Sequence, residues 1–126
     1  IDQALGARRR VDALYRQLLT GVPGLQCLND SGENKANYAY FPVLIDNTFR
    51  ISRDELYQVL KDNAINARRY FYPLISDFPM YRGMPSAHKD NLPASNCAAQ
   101  KVLCLPIYPD LELSTIKYIV EIIIGR

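Results

Sequence analysis

The last dozen residues constrain this chain most. Leu113, Ile116, Val120 and Ile123 recur at helical spacing and form one apolar stripe, while Ile119, Ile122 and Ile124 widen it past the roughly 100-degree arc that a surface helix buries. A helix from about Ser114 to Ile124 must therefore lie deep in a core or pack against something outside the chain. Lys117 stands before Glu121, the weaker order for a pair four residues apart, so packing and not the ion pair has to hold this helix. Those two charges also keep the run short of the roughly 20 apolar residues that cross a bilayer, and no membrane partner is expected. With 126 residues, 48% hydrophobic and 22% charged, the chain has the material of one globular domain, which excludes extended disorder and fibrous repeats.

The other end also reads as helix. Ala4, Ala7, Val11, Leu14 and Leu18 share a stripe, Gly21 and Pro23 stop it, and Arg8, Arg9, Arg10 and Arg16 lie mostly on the solvated side, where they are given no function. The chain starts at Ile1 and enters this helix with no leader-like segment, which suggests a piece of something longer.

Between the two helices the pattern alternates. Asn29 to Asn37 reads as an exposed loop, and Asn37 to Asp46 as a strand with Ala39, Phe41, Val43 and Ile45 on one side. Pro42 lacks an amide donor and argues for an edge position or a bulge. Ser52-Arg53-Asp54-Glu55 has capping-box spacing and opens a helix that buries Leu56, Val59 and Leu60, with Asn63 as its left-handed terminator. Ile65 to Tyr72 alternates as a second strand, Arg68, Tyr70 and Tyr72 on one face and Arg69 and Phe71 on the other. Pro73 to Pro93 is irregular and long enough to suggest function or docking. A short helix from Ser95 to Lys101 and a strand from Val102 to Ile107, ended by Pro106 and Pro109, complete the series. The expected fold is α+β, a small, mostly antiparallel sheet of three or four strands with helices packed on one side.

Chemistry-bearing residues are sparse. His88, the one histidine, sits in a polar loop, and no zinc, nucleophile-elbow or P-loop spacing occurs. Cys27, Cys97 and Cys104 are odd in number and contain no C-x-x-C, which fits reduced thiols in the cytoplasm; Cys104 reads as a small core hydrophobe. A net charge of +2 names no partner, and no nucleic acid is expected. The most informative segment is Arg68-Arg69-Tyr70-Phe71-Tyr72-Pro73-Leu74. Guanidiniums interleaved with rings suit a phosphate attached to a flat base or sugar; the competing reading is a strand whose arginines reach solvent and whose rings pack in the core.

The ordered blocks Tyr40-Phe41-Pro42-Val43-Leu44-Ile45-Asp46, Ser52-Arg53-Asp54-Glu55-Leu56, Ala67 to Leu74, Leu92-Pro93-Ala94 and Val102 to Tyr108, followed by the Ile-rich helix, resemble the C-terminal part of DegT/StrS-type sugar aminotransferases. The resemblance implies a fold type I pyridoxal-phosphate enzyme that transfers an amino group, from glutamate, to a keto-sugar on a nucleoside diphosphate, for amino-sugar and polysaccharide biosynthesis. Residues 1–22 would then be a helix linking to a missing N-terminal cofactor domain, and 23–126 the small C-terminal domain. The family's Schiff-base lysine segment is not in this sequence: Lys35, Lys61, Lys89, Lys101 and Lys117 lie outside such a context, so the fragment is expected to be inactive and to bind no cofactor itself. Ile75 stands where many members carry a histidine. The resemblance also implies a homodimer of the intact enzyme. The candidate substrate-binding residues are Arg68, Arg69, Tyr70 and Tyr72, then Tyr81, Arg82 and His88 on the following loop. If the wide Ile face mates with the missing domain or a second subunit, the isolated chain should self-associate. Two rivals are a free-standing ligand-binding or regulatory domain and an RNA-binding module.

Overall fold

The computed structural model describes residues 1–28, 36–70 and 72–126. Helix α1 (Asp2–Leu19) leads into strand β1 (Leu25–Cys27), then β2 (Phe41–Ile45), α2 (Arg53–Asp62), α3 (Pro93–Lys101), β3 (Val102–Leu105) and α4 (Leu113–Ile124). The strands form one antiparallel sheet in the order β1-β2-β3. Val43 pairs with both Cys27 and Leu103, Ile45 with Leu25, and Phe41 with Leu105, so these side chains share one face. Over that face lie Val11, Tyr15 and Leu19 of α1, Leu56 and Leu60 of α2, and Ile116, Ile119, Val120 and Ile123 of α4, joined in one core. The fold is α+β, as the sequence pattern predicts.

The apolar excess of α4 is resolved internally. Ile116, Ile119, Val120 and Ile123 are buried against α1, α2 and the sheet, each burial contributing about 1.5–3 kcal/mol, and Ile122 and Ile124 pack at the margin of the same core. Of the two alternatives for this helix, deep burial in the chain's own core is the one observed. Leu113, expected on the stripe, is 52% exposed. Gly125 ends the helix in the left-handed conformation, and Arg50 closes it by donating to the carbonyls of Ile123 (2.9 Å) and Ile122 (2.8 Å).

Three local expectations change. Pro42 lies in the central strand, not on an edge. Cys104 directs both its N–H and its C=O toward Arg68, so Pro42, its partner across β2 and β3, is not asked for a hydrogen bond on that side. On its other side β1 ends with Cys27 opposite Val43, one residue short of Pro42. The missing amide therefore costs nothing. Helix α2 has the capping box, Glu55 N–H donating to Ser52 Oγ and Ser52 N–H to Glu55 Oε2, but Asn63 stays right-handed and Ala64 takes the left-handed position. Asn63 is held there by its Nδ2, which donates to the Val59 carbonyl at 2.8 Å.

Among the described residues, the strand expected from Ile65 to Tyr72 is a single bridge, in which Arg68 and Cys104 exchange backbone hydrogen bonds of 2.9 and 2.7 Å. Ile65 and Ala67 turn into the core, whereas Arg69 and Tyr72 are drawn toward α2. Phe71 and most of the expected loop, residues 29–35, lie outside the described residues. The irregular passage after Pro73 holds short 3-10 turns at Ile75–Asp77, Pro85–Ala87 and Lys89–Asn91, none burying a residue, before α3 begins at Pro93.

Candidate functional site

Beside the bridge of Arg68 to Cys104 at the outer edge of β3, Arg68, Arg69, Tyr70 and Tyr72 contribute to a pocket. A cavity of about 230 Å³ is lined by Tyr40, Arg68, Arg69, Tyr70, Tyr72 and Cys104. It shares Tyr40, Arg68 and Cys104 with a second cavity of about 350 Å³, bounded otherwise by Ala39, Asn66 and Leu105 to Tyr108. Tyr40, one residue before β2, meets Tyr70 edge to face with centroids 5.3 Å apart. Arg68 is exposed, and among the described residues its side chain makes no hydrogen bond or ion pair. Its bidentate donor fork thus faces both cavities uncommitted, and a guanidinium stays charged throughout the working pH range.

Arg69 is placed differently. Its guanidinium lies 4.6 Å from the centroids of both Tyr57 and Tyr72, and Nη1 is 3.6 Å from Asp54 Oδ1. The same carboxylate oxygen accepts from Arg53 Nε at 2.9 Å. Arg53 is only 5% exposed, and its Nη1 donates to the carbonyls of Ala99 and Val102, each at 2.9 Å, where α3 passes into β3. A buried charge costs heavily unless paired and hydrogen-bonded, and this one is both.

Cys104 closes the floor as a buried thiol. Burial pushes its pKa up to about 11 against the opposing pull of Arg68, so it is protonated and unreactive at neutral pH. Burial likewise raises Cys27. Neither cavity presents an acidic residue, so the surface is cationic and aromatic, able to grip an anion and stack a ring.

Of the residues expected at a site, Arg68, Arg69, Tyr70 and Tyr72 come together. The expected alternation does not hold: Arg69 and Tyr72, predicted on opposite faces, are stacked on each other. Tyr81, Arg82 and His88 line neither cavity and stand exposed on the 3-10 passage, His88 beside Asp90 at 3.4 Å. Sequence reasoning missed Tyr40, Tyr57, Asp54 and Tyr108. Tyr40 and Tyr108 are aromatics just outside the strands, the signal that could have marked them; for Asp54, exposed in the first turn of a capped helix, and Tyr57, half-buried on the same helix, there is none.

The profile of the DegT/DnrJ/EryC1/StrS aminotransferase family matches residues 1–124. Among curated relatives, the dTDP-4-amino-4,6-dideoxy-D-glucose transaminase of Escherichia coli is 48% identical over all 126 residues, and that of Shigella dysenteriae is 39% identical over 123. The chain covers 34% and 33% of these proteins, about a third of their length. A solved structure of DesI in the presence of its TDP-sugar product aligns with 96% of this chain and 30% of its own, with a TM-score of 0.86 and 30% identity.

Proposed function

Because the chain belongs to the DegT/DnrJ/EryC1/StrS aminotransferase family, we propose that it is the small C-terminal part of a pyridoxal-phosphate-dependent transaminase. The intact enzyme moves an amino group from glutamate to a keto-sugar carried on a nucleoside diphosphate, giving 2-oxoglutarate and an amino sugar for a surface polysaccharide. The observation that carries this reading is the 48% identity, across the whole chain, to a dTDP-sugar transaminase.

Pyridoxal phosphate supplies the electron sink for such a transfer and needs a lysine amine to hold it. The cavities around Arg68 contain no lysine, so this chain's residues do not fit the group, and we assign its binding to the remaining two-thirds of the protein. Residues 1–22 would join that cofactor domain to the small domain of 23–126, and the intact enzyme would be a homodimer. Three unpaired thiols suit a reducing cytoplasm, and among the described residues no helix is long and apolar enough to cross a membrane.

What this chain does is binding. Arg68 holds the diphosphate through its free donor fork, and Tyr40, Tyr70 and Tyr72 offer ring faces and hydroxyls to the sugar or base, with Arg69 behind Tyr72. Cavities of about 230 and 350 Å³ grip part of a nucleotide sugar and leave the rest to the cofactor domain. Tyr81, Arg82 and His88 are assigned to the rim that the cofactor domain meets. The test is incubation of the intact protein with glutamate and a dTDP-linked 4-keto-6-deoxy sugar. The reading requires amino-sugar and 2-oxoglutarate formation by the intact protein and none by residues 1–126 alone; an intact, cofactor-loaded protein that forms neither product would refute it.

A further inference from the structure

Among the described residues of the Arg68 to Tyr72 segment, Arg68 alone is fixed by backbone pairing, yet the pocket needs Arg69, Tyr70 and Tyr72 held around it. Tyr70 meets Tyr40, and a further restraint on Arg69 and Tyr72 comes from α2. The Arg69 guanidinium lies over the rings of both Tyr57 and Tyr72, 4.6 Å from each centroid, and its Nη1 is 3.6 Å from Asp54 Oδ1. Asp54 is itself tied at 2.9 Å to Arg53, whose guanidinium is buried, bonded to the α3 to β3 junction, and 5.5 Å from the centroid of Tyr72. Asp54 is 67% exposed, and an ion pair so open is weak alone; the stack with Tyr57 and the fixed Arg53 give it leverage.

We propose that Tyr57 and Asp54, side chains of α2 that line neither cavity, are positioning residues of the Arg68 pocket, acting through Arg69 and Tyr72. Arg68 is then the residue that meets the anion, and Arg69 the one that carries the geometry of α2 into the pocket wall. This rests on the pocket reading above, and the test separates the two.

In the intact protein, thymidine 5′-diphosphate is titrated as the probe, and steady-state constants are measured for the nucleotide sugar and for glutamate. The double variant Asp54→Asn/Tyr57→Leu should weaken the diphosphate about five- to tenfold and raise KM for the nucleotide sugar alike, while KM for glutamate is unchanged and kcat moves less than about twofold. Tyr57→Phe, which keeps the ring, should bind as wild type; a purely structural role would not sort substitutions by ring face or spare glutamate. If the double variant does not fold, Tyr57→Leu alone should weaken the probe about two- to threefold. Wild-type binding in these variants, with Arg68→Ala defective, overturns the positioning role and leaves the pocket intact. Wild-type binding in Arg68→Ala removes the pocket assignment and the positioning role with it.

Discussion

Single residues set both the strictest steric demand and the sharpest chemistry of this domain. Gly24 has a φ of +75°, and a Cβ there would overlap the backbone nitrogen and Cα of Phe49, while its carbonyl accepts from Asp46 N–H at 2.9 Å. Gly24→Ala should therefore destabilise by about 2 kcal/mol or more, read as a fall in the denaturant midpoint; an unchanged midpoint would mean that this turn is not as described. At the same scale Arg68 and Arg69, adjacent and identical in type, are set apart by what each touches, one uncommitted and one stacked and paired. The sequence named both as anion candidates and could not divide them, because the division depends on Asp54 and Tyr57, distant in the chain and unremarkable on their own helix. Tyr15 is a similar case: it lies off the stripe read from Ala4, Ala7, Val11, Leu14 and Leu18, yet its ring is fully buried and stacks 4.9 Å from Phe41.

Elements were legible wherever local chemistry decides. Ser52 and Glu55 sit four residues' span apart with the apolar stripe behind them, and α2 begins where that chemistry says it must. Ser52→Ala should cost about 1 kcal/mol by chemical denaturation. The Glu55 carboxyl is held below its ordinary value by the backbone and side-chain hydrogen bonds of Ser52. Its ionised form thus favours the fold above the unfolded carboxyl's pKa, and that contribution is lost as pH falls through the depressed folded value. The gap in thermal midpoint between wild type and Glu55→Gln should therefore be present near neutrality and close in acid; a gap that persists through the carboxylate range would contradict the cap. The segment from Ile65 to Tyr72 misled for the opposite reason. The residue types alternate along the sequence, but among the described residues only Arg68 finds a partner at the edge of β3, and Arg69 and Tyr72 turn to α2 instead of pairing further. Periodicity records what a segment can do, whereas its neighbours in space decide what it does. The wide apolar arc of α4 was legible as a fact and open as to its cause until α1 and α2 were seen covering it.

At the scale of the whole molecule, an α+β domain with a net charge of +2 carries a cationic, aromatic pocket on one edge of its sheet and no lysine within it. A net charge this small gives little bulk attraction for an anion, so affinity for a diphosphate is assigned to placed guanidiniums, Arg68 first. It spans about a third of the transaminases it resembles in sequence, and its proposed part is to hold the nucleotide sugar while the remainder supplies the reacting group. The most direct measurement is the KM of the intact protein for a dTDP-linked 4-keto sugar, with glutamate saturating, in wild type and in Arg68→Ala. The account predicts a rise of about tenfold or more with KM for glutamate unchanged, the loss of one charge-assisted contact to phosphate. Equal KM values for the nucleotide sugar in the two proteins would contradict it.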